Sequence, residues 1–446
     1  MGNKKILNTY AKYVSLNVIA MIGLSCYILA DTFFVAAGLG ANGLTALNLA
    51  IPVYSFINGL GLMIGVGGGT KYAIYKTQRN DRVASEIFTH AVLLGLVCGI
   101  LILLAGIVSS AEVSRLLGGD EITFGMTNTY LKTLMCFAPA FILNNVLVAF
   151  VRNDGEPNLA MTVMLAGSVS NIVLDYVFIF PLKMGIFGAA FATGLAPVIS
   201  MIVISGYFRK KKNQFHFIRC KIKWAYLKTI SALGIASLIT EVSSGIVIII
   251  FNTVILKLKG NLGVAAYGII ANLALVATAI FTGVAQGIQP IISESYGSGK
   301  SENISRIIRY AVITSLVTAL ILFAVTEIFA DPIAAVFNSE DNPALAKLAV
   351  PGLRIYFTGF LFAGLNIIFT SWFSSVEKPV QSFTISILRG CVIIVPLLLV
   401  LAAMLGIQGV WMASPLAELL TLLLALAAVR QHTGNKKYRT ELDKRY

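Results

Sequence analysis

The stretch IFTHAVLLGLVCGILILLAGIV (residues 87–108) decides the fold, because its 22 residues carry a single acidic or basic side chain, His90. At helical rise, a run of that length covers about 33 Å, matching the hydrocarbon core of a bilayer. Comparable runs recur along the 446-residue chain, which is 57% hydrophobic and only 12% charged, with a mean hydropathy of +0.84. Soluble domains carry roughly twice that charged fraction. The runs are not the short alternating segments of a membrane barrel. The chain therefore reads as an all-α integral membrane protein.

Twelve transmembrane helices are expected, at approximately 13–37, 46–70, 87–109, 124–150, 159–181, 187–208, 229–256, 264–290, 307–329, 348–373, 380–404 and 407–429. The first run is too long for the apolar part of a signal peptide and lacks a clear small-residue cleavage site, so it reads as span one. Between spans six and seven lies a basic connector, RKKKNQFHFIRCKIKWAYLK (209–228). Cys26, Cys98, Cys136 and Cys391 fall inside spans and Cys220 in that connector, a pattern of small gap-filling side chains rather than a disulfide framework.

The net charge of +14 is a matter of topology. With both termini in the cytoplasm, 26 of the 34 lysines and arginines fall on the inner side, seven on the outer side, and Arg389 within a span. That asymmetry follows the positive-inside rule, and nucleic acid is not an expected partner. There is no nucleotide-binding loop after a strand and no Cys/His cluster with metal-ligand spacing, so neither an enzyme nor a structural metal is expected. The glycines of GLGLMIGVGGG (59–69) follow a span and read as close helix packing or a flexible gate.

The halves repeat. Gly40, Gly43, Ala46, Gly67, Ala91 and Val92 match Gly260, Gly263, Ala266, Gly287, Ala311 and Val312 at an offset of 220. Gly185, Gly188 and Ala192 match Gly406, Gly409 and Ala413 at an offset of 221. Six spans per half is an even number, so the halves share one orientation: two pseudo-symmetric six-helix lobes forming a parallel repeat. The expected division is residues 1–208 for the N-terminal lobe, 209–228 for the cytoplasmic linker, and 229–446 for the C-terminal lobe with its tail.

Against this apolar background two acids stand out. Asp175 lies in NIVLDYVFIF (171–180), four residues after Asn171 and hence on the same helix face. Asp31 lies in YILADTFF, one turn from Tyr27. Asp31, Asp175 and Thr193 each sit about six residues from the outer end of their spans. Four polar side chains of spans one, five and six thus share one depth. Taken singly, Asn144, Asn145, Asn171 and Thr193 fit helix-pairing roles. Intramembrane acids are rarer and mark ion paths. At the repeat offsets Asp31 faces Phe251, and Asp175 faces Pro396 or Leu397, so the scaffold is duplicated but the acids are not. Arg389 and Glu418, in adjacent spans at similar depth, read as a structural ion pair, with Glu241 as a competing partner.

Three stretches then resemble the multidrug and toxic compound extrusion (MATE) family: ADTFFVAAGLGANGLTALNLAIP (30–52), VRNDGEPNLAM with NIVLDYVFIF (151–180), and SYGSGKSENISRIIRYA (295–311). The resemblance covers essentially the whole chain and is nearest the bacterial multidrug exporters. It implies paired six-helix bundles, residence in the bacterial inner membrane, and export of amphipathic, cationic small molecules in exchange for H⁺ or Na⁺. No cofactor beyond the coupling ion is implied. By the same resemblance Asp31, Asn171, Asp175 and Thr193, then Tyr27 and Asn144, carry the coupling. Glu241 matches an acid that some members use in a second-lobe cation site, but span ten here lacks the aspartate those members add. The family often bends span one at a proline. None occurs between Tyr13 and Ala37, which leaves Gly23 as the flexible point. The partners expected are the lipid bilayer and small molecules, with the chain a monomer. A flippase for lipid-linked saccharides is the alternative within the superfamily. A major facilitator is a more distant one, since KTQRNDRVASE (76–86) lacks that group's glycines and paired arginines.

Overall fold

The computed structural model describes residues 3–337 and 342–434. The basic tail expected beyond residue 434 lies outside the described residues. The elements are α1 (Asn3–Thr77), α2 (Asp81–Leu116), α3 (Phe124–Cys136), α4 (Ala138–Asn153), α5 (Pro157–Ile179), α6 (Gly185–Arg209), α7 (Trp224–Gly297), α8 (Ser301–Phe337), α9 (Pro343–Phe357), α10 (Phe360–Ser375), α11 (Pro379–Ile387), α12 (Ile394–Leu405) and α13 (Ile407–Gly434). A π turn, Leu388–Val392, joins α11 to α12. No strand occurs among the described residues.

The helix count reduces to twelve spans. Among the described residues eight helices, counting α11 through α12 as one, are long and apolar enough to cross a bilayer, and α3 with α4 and α9 with α10 form two more spans, bent by 47° and 45°. Two of the eight are too long to be single spans. The 75 residues of α1 and the 74 of α7 would each run about 110 Å as straight helices. Each is broken once by a glycine: Gly40 at φ 67°, ψ −161°, and Gly260 at φ 62°, ψ −157°. That backbone region is closed to residues with a Cβ. The breaks raise ten spans to twelve, at the positions expected from the sequence.

The same glycines carry the repeat into three dimensions. Gly40 and Gly260 differ by 220 residues and adopt nearly one conformation. Gly185 at φ 61° and Gly406 at φ 60° differ by 221. The turns before α5 and α11 end on Pro157 and Pro379, at an offset of 222, each in the first helical turn. Proline suits that place because its missing N–H has no intrahelical acceptor there. Two copies of one chain path therefore run through the molecule.

By packing, the chain forms two compact units, Ser15–Val242 and Met1–Val14 with Ser243–Tyr446. The sequence division at the basic connector follows chain order, whereas the packing division falls inside α7. The reason is a close approach within the first unit: a Cβ on Gly67 would sit 1.9 Å from the Ile230 carbonyl oxygen, and one on Gly234 would sit 1.8 Å from that of Met63. The glycine run of α1 thus serves helix packing, holding the start of α7 against α1. Gly23 likewise packs closely, with the Leu165 side chain 2.4 Å from its missing Cβ, and α1 stays helical through it. Each unit has its own apolar core, around Phe88, Phe150 and Ile142 in one and Phe281, Phe357 and Trp411 in the other. Leucines, valines and methionines such as Val108 (82% exposed) and Met404 (74%) cover the outside, as a lipid-facing surface requires.

The connector is docked rather than loose. Asp154, from the NDG stretch, accepts hydrogen bonds from the hydroxyls of Tyr72 and Tyr207 and from the Gln214 N–H. Phe215 is fully buried among Tyr72, Phe88, Phe150 and Phe208. His90 donates from Nδ1 to the Glu86 carbonyl (2.7 Å) and accepts at Nε2 from the Lys223 N–H (2.9 Å), which fixes the neutral tautomer. The Lys223 ammonium reaches Glu86 at 2.5 Å, and that carboxylate raises the lysine pKa.

Gly40→Ala and Gly260→Ala should each cost about 1–3 kcal/mol through backbone strain, since open space surrounds both positions. Thermal unfolding in detergent should register a lowered midpoint for both variants. Unchanged midpoints would mean the breaks do not need glycine.

Candidate functional site

The first unit gathers its polar side chains where α1, α3, α5 and α6 meet. Asp31 of α1 is 7% exposed, and Asp175 and Asn171 of α5 are fully buried. Asn171 donates from Nδ2 to Thr193 Oγ1 of α6 at 3.4 Å, and Thr193 in turn donates to the Ala189 carbonyl at 3.0 Å. Asp31 and Asp175 face each other closely enough to interact directly. All four residues expected to converge do so.

What the oxygens lack is more informative than what they have. Both carboxylate oxygens of Asp175, Oδ1 of Asp31, Oδ1 of Asn171 and Oδ1 of Asn144 are buried without a hydrogen-bond donor. An unsatisfied buried acceptor costs roughly 1–3 kcal/mol, more when charged. Four of these, on Asp31, Asp175 and Asn171, lie in the one cluster described above. A proton or a small hard cation supplies the missing partner, since Na⁺ takes carboxylate, amide and hydroxyl oxygens alike.

Three tyrosines lie beside these residues. Tyr27 and Tyr54 share a hydrogen bond of 2.7 Å between hydroxyls, and Tyr27 lies within electrostatic reach of Asp31. Tyr130 of α3, 4% exposed, bonds Thr193 and faces both aspartates. Neither Tyr54 nor Tyr130 was singled out by the sequence. The available signal was that a buried tyrosine needs a polar partner.

Glu241 is placed differently from its sequence expectation. It accepts from Asn58 Nδ2 at 3.2 Å, and Asn58 Oδ1 accepts from Asn145 Nδ2 at 2.8 Å. These residues all belong to the Ser15–Val242 unit, because the start of α7 packs there. Glu241 therefore sits with the first-unit helices and not in a second-lobe site.

The second unit contains the other polar cluster. Arg389 Nε donates to Glu418 Oε1 at 2.5 Å. Asn366 Nδ2 donates to Glu418 Oε2 at 2.8 Å and to the Glu418 carbonyl at 2.9 Å. The pair read from the sequence is present, and Asn366 is the third member that the sequence did not supply.

A twelve-span, two-unit bundle with buried acids inside its spans defines a membrane transporter. The chain belongs to the MatE family: the family model matches residues 17–177 and 235–421, both halves of the repeat. It is similar to the multidrug export protein MepA of Staphylococcus saprophyticus, 26% identical over 408 residues, or 90% of this chain and 89% of that one. Among solved structures it resembles a MATE transporter in complex with MaL6, with a TM-score of 0.90, 24% identity, and coverage of 98% and 97% of the two chains. It also resembles a MOP-superfamily transporter from Pyrococcus furiosus, with a TM-score of 0.88, 25% identity, and coverage of 97% and 98%.

Asp175→Asn removes one of the two facing carboxylates and puts an amide donor beside Asp31. Its midpoint of thermal unfolding at alkaline pH should equal or exceed the wild type's. A fall of several degrees would mean that the carboxylate holds the bundle together.

Proposed function

We propose that this chain is an antiporter that exports amphipathic, cationic compounds in exchange for H⁺ or Na⁺ at the bacterial inner membrane, with both termini in the cytoplasm. The coupling cation is a co-substrate, and the reading requires no resident cofactor. Its main support is the set of donor-less oxygens around Asp31 and Asp175. The lysine and arginine asymmetry supports the orientation. The MepA resemblance supports the substrate class.

The physics of coupling is short. With the pair empty, two like charges share a poorly hydrated pocket and repel. A cation entering down its gradient cancels that charge, with Asn171 and Thr193 completing the oxygen set. If the filled pair favours one conformation and the empty pair the other, filling releases the drug and emptying restores the binding form. Asp31 and Asp175 carry the cation. Tyr27, Asn144 and Tyr130 shape the pocket around them.

The test is export of a cationic dye from proteoliposomes under an imposed proton gradient, then a sodium gradient. Wild type should export under one of them, and Asp175→Asn should fall to the leak of protein-free vesicles. Undiminished export by Asp175→Asn would remove that residue from coupling. No movement of any cationic dye under either gradient would overturn antiport and make lipid-linked saccharides the next substrates to try.

A further inference from the structure

The basic connector between α6 and α7 has no part in the antiport chemistry, and its docking on the first unit fixes its depth. Its backbone is tied to the start of span three. The Ile218 N–H donates to Thr89 Oγ1 at 3.3 Å, and the Lys223 N–H donates to His90 Nε2 at 2.9 Å. Leu93, one turn further along α2, begins a row of exposed apolar side chains that continues through Leu96, Val97 and Leu101. Residues 218–223 therefore lie where the lipid-facing surface of α2 starts, at the level of the headgroups.

Two kinds of side chain are exposed on this docked segment. Phe217 (65% exposed), Ile222 and Trp224 (80%) present large apolar surface within eight positions, although Phe217 keeps a ring contact with Phe88 at 4.8 Å. Apolar side chains exposed so close together mark a surface that something covers. Tryptophan in particular suits the boundary between headgroups and acyl chains. Around them stand exposed cations: the run RKKK (209–212), Arg219 and Lys221. Among the described residues none of these six forms an ion pair with a carboxylate. Residues 209–228 hold eight lysines and arginines and no acid, so the segment cannot neutralise itself. The acids in its docking contacts are buried and engaged, Glu86 by Lys223, and Asp154 by Tyr72, Tyr207 and the Gln214 N–H.

We propose that the connector is a lipid-binding surface that fastens the first unit to anionic phospholipid. Headgroup phosphates take Arg219, Lys221 and the 209–212 run, while Trp224, Phe217 and Ile222 enter the upper acyl region. Charge and depth together choose this occupant. Unpaired cations interleaved with apolar side chains, at headgroup level, match a layer that is anionic outside and apolar beneath. A soluble acidic partner would meet the cations but leave the apolar side chains uncovered. The buried Phe215 and the bonds to Asp154 and His90 hold the surface in shape, so little chain order has to be gained on binding. The surface is independent of the antiport reading, because attachment to lipid is measured without any gradient.

The test reconstitutes the full-length protein in phosphatidylcholine vesicles holding a minority of phosphatidylglycerol. Bromines, which quench tryptophan, are carried on the acyl chains of one lipid or, at matched mole fraction, of the other. The fluorescence that wild type loses beyond the loss in Trp224→Phe reports Trp224, because Trp372 and Trp411 are common to both proteins. Brominated phosphatidylglycerol should quench Trp224 about two- to fivefold more than brominated phosphatidylcholine, the enrichment expected from one or two cations at an anionic surface. The preference should shrink in wild type at high salt, which needs no variant to fold. It should fall by half or more in the double variant Arg219→Gln, Lys221→Gln. A preference that either treatment leaves unchanged, or equal quenching by the two lipids, would overturn the proposal. So would a Trp224 that neither lipid quenches, which would leave this face to a soluble partner.

Discussion

Two aspartates, Asp31 and Asp175, face each other inside the first unit of a membrane bundle. Asp31 comes from the first helix and Asp175 from the fifth, so the pair joins elements far apart in the chain. In the proposed antiport, such a pair is the charge that a cation neutralises. The surrounding Asn171, Thr193 and Tyr130 offer oxygens rather than further charges. A lysine or arginine in the same place would satisfy the acids permanently, as Arg389 satisfies Glu418 in the second unit.

That contrast lies on a duplicated scaffold. The glycine breaks at Gly40 and Gly260 and the turns at Gly185 and Gly406 hold both repeats to one chain path. Within that path the polar chemistry has diverged. The first repeat carries two facing aspartates inside its spans. The second carries a neutral pair on a distorted helix, with apolar residues where the first has its acids: Phe251 for Asp31, and Pro396 or Leu397 for Asp175.

Span number, span limits and the repeat were legible in the sequence, because lipid punishes every polar residue and leaves long runs between short loops. The aspartates were legible for the same reason. Tyr54 and Tyr130 were not, since a tyrosine in an apolar helix is common and nothing local links spans two and four to span one. The role of Asp154 was hidden differently: its partners Tyr207, Gln214 and Tyr72 lie 53, 60 and 82 residues away. Glu241 was assigned by chain order to the second half, whereas the glycine contacts of Gly67 and Gly234 bring the start of α7 into the first unit. The π turn at Leu388–Val392 has no sequence signature, and only the backbone reveals it.

The central claim is that substrate and cation compete for the charge state of the aspartate pair. The most direct measurement counts protons released into weakly buffered solution when a quaternary-ammonium probe binds the purified protein, first without sodium and then with it. The account predicts proton release in sodium-free solution, or weaker probe binding as sodium is added, and loss of the effect in Asp31→Asn. Tight probe binding with no proton released and no dependence on sodium would contradict it.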